Sequence, residues 1–149
     1  MKDKIYYKSP VGILEINTDN DKITEIKILE KEEKGFKYPD NDITSQLARY
    51  FSGELKTFNL KVNPSGTIFQ KRVWKELQKI PYGETKSYQE IAEAIGNPKA
   101  QRAVGSACNK NPILFIIPCH RVISKSGALT GFAYGLKIKE KLLKLENSL

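Results

Sequence analysis

Pro118-Cys119-His120-Arg121-Val122 sets a thiol beside the only imidazole in the chain, with a guanidinium one residue further on. The thiolate is the form of cysteine that attacks carbon, and a neighbouring histidine or arginine favours it over the thiol. The segment also has a plain structural reading. The thiol follows the apolar run Ile113-Leu114-Phe115-Ile116-Ile117, and a cysteine buried at the end of such a run is a small inert hydrophobe with a raised pKa. The turn set by Pro118 and the charged pair after the thiol favour a nucleophile. What kind of nucleophile stays open on these residues alone. Successive side chains of a strand face opposite ways, so adjacent Cys119 and His120 do not readily share a proton. Hydrolases usually bring their base from elsewhere in the chain, and no second histidine exists to serve.

Other chemistries are excluded by spacing. Cys108, Cys119 and His120 lack the paired CxxC-type spacing of a structural zinc site. No Gly-rich phosphate cradle of the P-loop kind is present. Two cysteines in 149 residues are no disulfide framework, so a reducing, cytoplasmic compartment is expected. No apolar run approaches the ~20 residues of a membrane span, and no signal-peptide pattern opens the chain. At 40% hydrophobic residues the chain can build a core rather than stay disordered. Charge is uneven: residues 1–63 carry 11 basic and 11 acidic side chains, residues 64–149 carry 14 and 6. A basic lobe beside a neutral one suits a polyanionic partner, with nucleic acid the leading candidate, although net charge also serves plain solubility.

The elements that must position Cys119 follow from pattern. Ile5–Lys8, Ile13–Ile16 and Ile23–Ile28, separated by turn chemistry at Pro10-Val11-Gly12 and Asp19-Asn20-Asp21, predict a small antiparallel sheet. Ile43, Leu47, Tyr50 and Phe51 recur at helical spacing before Gly53 and predict a helix covering that sheet. Asn63-Pro64-Ser65-Gly66 is the natural linker, dividing a scaffold domain, 1–63, from a second domain, 64–149. There Phe69, Val73, Leu77 and Ile80 form a helical stripe ending at Pro81-Tyr82-Gly83. Ser87-Tyr88-Gln89-Glu90 matches a capping box opening a short helix closed by Gly96. Asn97-Pro98 predicts the start of the next helix. Two short helices around a glycine turn predict a helix-turn-helix, with Lys99, Gln101 and Arg102 where a recognition helix meets nucleic acid. The fold class is α/β in the broad sense, more narrowly α+β: a sheet lobe with one helix, then a mainly helical domain.

The cysteine motif, together with Ile80-Pro81-Tyr82-Gly83 and Gly96-Asn97-Pro98-Lys99-Ala100 upstream, resembles the O6-alkylguanine-DNA alkyltransferases. The blocks lie in the family's order and spacing through most of residues 64–147. The first lobe is compatible with that family's ribonuclease-H-like N-terminal domain. The resemblance implies a repair protein, needing no cofactor or metal, that removes an alkyl group from guanine O6, and from thymine O4, in double-stranded DNA. It implies that Cys119 attacks the alkyl carbon and keeps it as a thioether, so each molecule acts once. His120 would be the base, working through a water, and Glu140 would match the glutamate that orients it. Tyr82 would match the tyrosine that protonates the leaving guanine and helps swing the nucleotide out. Arg102 would fill the gap left in the base stack, beside Lys99, Ala100 and Gln101 in the minor groove. Asn111 would tie the helix-turn-helix to the active-site turn, and Val122 would offer its carbonyl to the guanine amino group.

Phe132, Ala133 and Tyr134 would border the alkyl pocket. Ala133 stands where some members of the family have a serine hydrogen-bonding the guanine oxygen, and Tyr134 where many have glycine. Cys108 reads as a buried apolar neighbour. Residues 1–63 hold neither Cys nor His, so the zinc ligands of some relatives' first domains have no counterpart. The expected protein is monomeric, cytoplasmic and not membrane-bound. Two other classes compete with it. A DNA-binding module without transfer, like the family's alkyltransferase-like relatives, is disfavoured because those replace the cysteine. A Cys–His hydrolase is disfavoured by the adjacency and by the basic helix-turn-helix.

Overall fold

Three strands, β1 (Lys2–Ser9), β2 (Gly12–Asp19) and β3 (Lys22–Leu29), form an antiparallel meander in that order. In this computed structural model all 149 residues are described. Between β2 and β3 the pairing passes from Asn17↔Glu25 to Thr18↔Ile23, leaving Thr24 unmatched. That bulge explains why β3 does not alternate cleanly: the extra residue brings Ile23 and Ile26, three apart, to the same buried side. Helix α1 (Asp42–Phe51) opens with a reciprocal cap between Asn41 and Thr44 and buries Leu47 and Tyr50. It stops before Gly53, whose φ of 83° few other residues adopt.

The chain divides into two compact units. Met1–Ser65 with Pro112–Leu114 make the first, and Gly66–Asn111 with Phe115–Leu149 make the second. The three residues 112–114, expected in the second domain, instead pack with the first: the Ile26 N–H donates to the Pro112 carbonyl (2.8 Å), and Ile26 bridges Ile113. An apolar strand edge recruits an apolar extended segment from far along the chain, which no local pattern announces.

The second unit begins with α2 (Ile68–Leu77), capped by Thr67 and Gln70 and burying Val73, Trp74 and Leu77. Strand β4 (Lys86–Ser87) runs directly into α3 (Tyr88–Ala94), and Ser87 and Glu90 form the expected capping box. Helix α4 (Gln101–Asn109) follows, then a 3₁₀ turn at Cys119–Arg121, strand β5 (Val122–Ile123) parallel to β4, and α5 (Leu136–Leu145). The expected start of α4 at Asn97-Pro98 is three residues early. The Asn97 N–H instead closes the preceding helix on Ala92 (3.0 Å), and the position before α4 is Ala100, with no side-chain cap. No helix is long and apolar enough to cross a membrane.

Trp74 carries much of this unit's packing. It is buried, and its indole N–H donates to the Ala107 carbonyl at 2.8 Å, tying α2 to α4. A methyl group on Gly66 would lie 2.5 Å from the far edge of the indole. Gly66→Ala is therefore expected to lower stability by about 1–3 kcal/mol, read as a lower midpoint in denaturant. An unchanged midpoint would show that the indole yields without cost.

Candidate active site and nucleic-acid interface

Cys119 and His120 are both buried, on a turn and not on a strand. Pro118 (φ −82°, ψ 65°) starts that turn, and the Cys119 N–H donates back to the Ile117 carbonyl at 2.8 Å. Alternation of side chains therefore does not apply here, and the objection to an adjacent Cys and His falls away. Burial pushes the Cys119 thiol up; a hydrogen bond with the Asn111 side chain and the charge of Lys139 oppose that rise. The Asn111 amide also donates to the Ile117 carbonyl (2.7 Å), so the residues just after α4 hold the peptide leading into the cysteine turn.

The partner of His120 is Glu146, not Glu140. Imidazole Nε2 lies 2.8 Å from Glu146 Oε2, with both side chains almost wholly out of water. Glu140 is partly exposed and pairs with Lys144 at 3.0 Å. The reason is helical geometry. Lys139, Leu142, Leu143 and Glu146 share the buried side of α5 and its C-cap at spacings of three and four, and Glu140 falls a residue off it. That periodicity was present in the sequence and was the available signal. Burial lowers the pKa of His120, against the raising effect of the Glu146 hydrogen bond. Arg121 grips the same carboxylate through Nε to Oε1 (2.8 Å) and Nη2 to Oε2 (3.1 Å). An ionised carboxylate only accepts, so Nε2 carries the imidazole proton and Nδ1 is left as an acceptor.

The tyrosine nearest the thiol also differs from expectation. The Tyr82 hydroxyl donates to the Leu145 carbonyl at 3.1 Å, and its ring lies 5.8 Å from the Arg121 guanidinium carbon, on the Glu146 side of the turn. Tyr88, by contrast, follows β4, which pairs with β5 immediately after the cysteine turn. Its hydroxyl donates to the Thr130 carbonyl (3.0 Å), and its ring lies close enough to Gly105 that a methyl there would touch it at 3.8 Å. Burial raises the pKa of Tyr88, and Cys108 and Cys119 are among the groups whose charge it feels. Sequence reading used Tyr88 only as part of a capping box; its place at the first turn of the helix-turn-helix was the signal for more.

Lys139 was also missed. Its side chain is wholly buried, and its ammonium donates to the carbonyls of Val122 and Thr130 (2.7 Å to the latter). Burial lowers its pKa, and the two cysteines oppose the shift. Its presence in a run of alternating lysines hid it.

An open groove of about 510 Å³ lies along Tyr88, Lys99, Gln101, Arg102 and Gly105. Lys99, Gln101 and Arg102 are exposed and Ala100 is half-buried. Lys99 and Ala100 belong to the turn before α4, while Gln101 and Arg102 open the helix. Phe132 and Tyr134 are half-buried with ring centroids 6.4 Å apart, and Ala133 between them is exposed. No group of three or more His, Cys, Asp or Glu is placed to hold a metal ion.

Residues 68–148 match the family model of the 6-O-methylguanine DNA methyltransferase DNA-binding domain, and residues 4–64 that of the ribonuclease-like domain. The chain belongs to this methyltransferase family. A methylated-DNA–protein-cysteine methyltransferase of Methanosarcina acetivorans is 50% identical over 95% of this chain and 96% of that protein. One of Mycobacterium tuberculosis is 46% identical over 97% of this chain and 93% of its own length. The crystal structure of the M. tuberculosis OGT in complex with DNA superposes with a TM-score of 0.88 at 46% identity, covering 97% of this chain and 92% of that one. Within the family frame, the half of the chain called scaffold from its lack of chemistry is the ribonuclease-like domain.

Proposed function

We propose that this chain repairs double-stranded DNA by moving the alkyl group of O6-alkylguanine, and of O4-alkylthymine, onto Cys119, once per molecule. The observation that carries the reading is the buried His120–Glu146 pair directly beside Cys119. The Cys119 proton passes through a water to Nδ1 of His120, while Nε2–H stays donated to Glu146. A sulfur–carbon bond then forms as the carbon–O6 bond breaks, and the electron pair of that bond leaves with guanine. Tyr88, which borders both the thiol and the groove, protonates the leaving base. The stabilised charge is the one that develops in the transition state, which is where such contacts accelerate a reaction.

A carbon on guanine O6 is out of reach inside a duplex, so the nucleotide is swung out. Arg102, exposed at the start of α4, takes the vacated place in the stack, and Lys99, Ala100 and Gln101 lie along the minor groove. Asn111 holds the cysteine turn to the end of α4. The Val122 carbonyl accepts from Lys139 on one lone pair and offers the other to the guanine amino group. The protein acts as a monomer in the cytoplasm, and the scheme uses no cofactor. Duplex DNA labelled on the O6-methyl of guanine tests it. Label bound to protein supports transfer. A mobility shift without label would mark a binding module, and neither would return the hydrolase reading.

Tyr134 sets an expectation for substrate size. Its ring packs near Phe132 on the loop assigned to the alkyl pocket, and a flat benzyl group competes for the same volume. Overpacking costs about 1–3 kcal/mol, so Tyr134→Gly should react with O6-benzylguanine roughly ten- to hundredfold faster than the parent. Methyl transfer from DNA should hardly change. Equal rates with the benzyl compound would put the ring outside the pocket.

A further inference from the structure

Glu146 serves two partners at once, and the second has no part in the scheme above. Arg121 is itself buried; besides its two bonds to the carboxylate it donates Nη1 to the Ile80 carbonyl at 2.7 Å. One guanidinium thus joins the peptide after α2, the cysteine turn and the end of α5. A planar fork on a carboxylate is the geometry at which arginine outperforms lysine.

The consequence falls on His120. A buried carboxylate whose company is an imidazole draws a proton onto that imidazole, because an opposite charge within ~4–6 Å favours the charged form by about 1–3 pH units. A protonated imidazole cannot accept the thiol proton. We propose that Arg121 is a positioning residue that keeps His120 neutral, by holding Glu146 as an already paired carboxylate that accepts from Nε2–H and leaves Nδ1 open.

The other groups around the imidazole act in known directions. Burial and Lys139, from α5, disfavour its charged form, as Arg121 does, while Glu146 favours it. Cys119 precedes it on the same turn and is held largely as thiol by burial. Tyr82, from the turn after α2, faces Glu146 and Arg121 with a pKa raised by burial. Lys139 spends its ammonium on the Val122 and Thr130 carbonyls, so the guanidinium is the cation seated on the carboxylate.

The inference rests on His120 being the base, but its test can be read without any transfer. The chain has one histidine, so a proton NMR titration of the imidazole Cε1–H follows a single assigned signal. In Arg121→Gln the midpoint should move up by about one pH unit or more, while Arg121→Lys, which keeps the charge, should stay close to the parent. The acid limb of the transfer rate should move with it, so that the variant loses about tenfold more activity at pH 6.5 than at pH 8.5. A folded Arg121→Gln with the parental midpoint would overturn the proposal and leave Arg121 a brace. If that variant does not fold, Glu146→Gln is compared with the double variant Arg121→Gln, Glu146→Gln. The single variant, still carrying the guanidinium, should titrate at lower pH. Equal midpoints would again overturn the proposal. A shifted midpoint with a parental rate profile would keep the electrostatic role and instead reject His120 as the base.

Discussion

Cys119→Ala should transfer no detectable methyl from DNA, while its affinity for the duplex stays within about twofold. The loss is total because a nucleophile that becomes part of the product has no substitute. Binding survives because it depends on charge and on the groove at Arg102, and a buried thiol shortened to a methyl group changes neither. The parent protein, mixed with excess methylated DNA, should stop at one methyl per molecule, since a thioether offers no easy route back to thiolate. Intact mass, followed by peptide mapping, checks both points. Cys108 is the internal control. It is buried within α4, and desolvation pushes its thiol far up, so it should remain unmodified. Repeated turnover, or a methyl on Cys108, would refute the scheme.

Exchanging the two glutamates of α5 and its cap should separate sharply. Glu146→Gln is expected to slow transfer by roughly 10²–10³, the scale on which general-base assistance is lost. Glu140→Gln should stay within about twofold, because Glu140 is partly exposed and pairs only with Lys144, one turn away. Near-ultraviolet circular dichroism should accompany the measurement, since Glu146 also anchors Arg121. The pH dependence has a definite sign. Neutral imidazole is the active form, and burial depresses its pKa below the usual histidine value. Transfer in the parent therefore holds through neutral pH and falls only on acidification through that lowered pKa. Removing the carboxylate depresses the pKa further, so raising the pH should not rescue Glu146→Gln. Rescue by alkali would mean that Glu146 supplies charge to the imidazole and not orientation.

Much of the site was readable because its signals are local. Each of the Asn41, Thr67 and Ser87 caps is satisfied within three residues, so hydrogen-bond donors left over at a helix start select those side chains regardless of what packs above. The cysteine motif is five consecutive residues, and the two upstream blocks are short turns. The start of α4 was misread because Asn97 is equally good at ending a helix, and only the Ala92 carbonyl waiting one turn back decides between the uses. The Tyr82–Tyr88 and Glu140–Glu146 choices failed for a related reason. In each pair both residues have the right chemistry, and the difference is which side of a helix or turn meets Cys119 and His120.

From the amino-acid sequence alone came the meander, the helix-turn-helix, the two-domain order, the family and the nucleophile, all written in neighbours within about one helical turn. Tertiary structure decided the rest. The pairing of β4 with β5 carries Tyr88 to the cysteine turn, and the buried side of α5 brings Lys139 and Glu146 there while turning Glu140 to water. It also decided the ionic arrangement, because the charge states of His120, Glu146, Arg121 and Lys139 depend on how much water is removed and on which partners replace it. Desolvation belongs to a packed interior, where it can outweigh what any side chain would do in its own peptide.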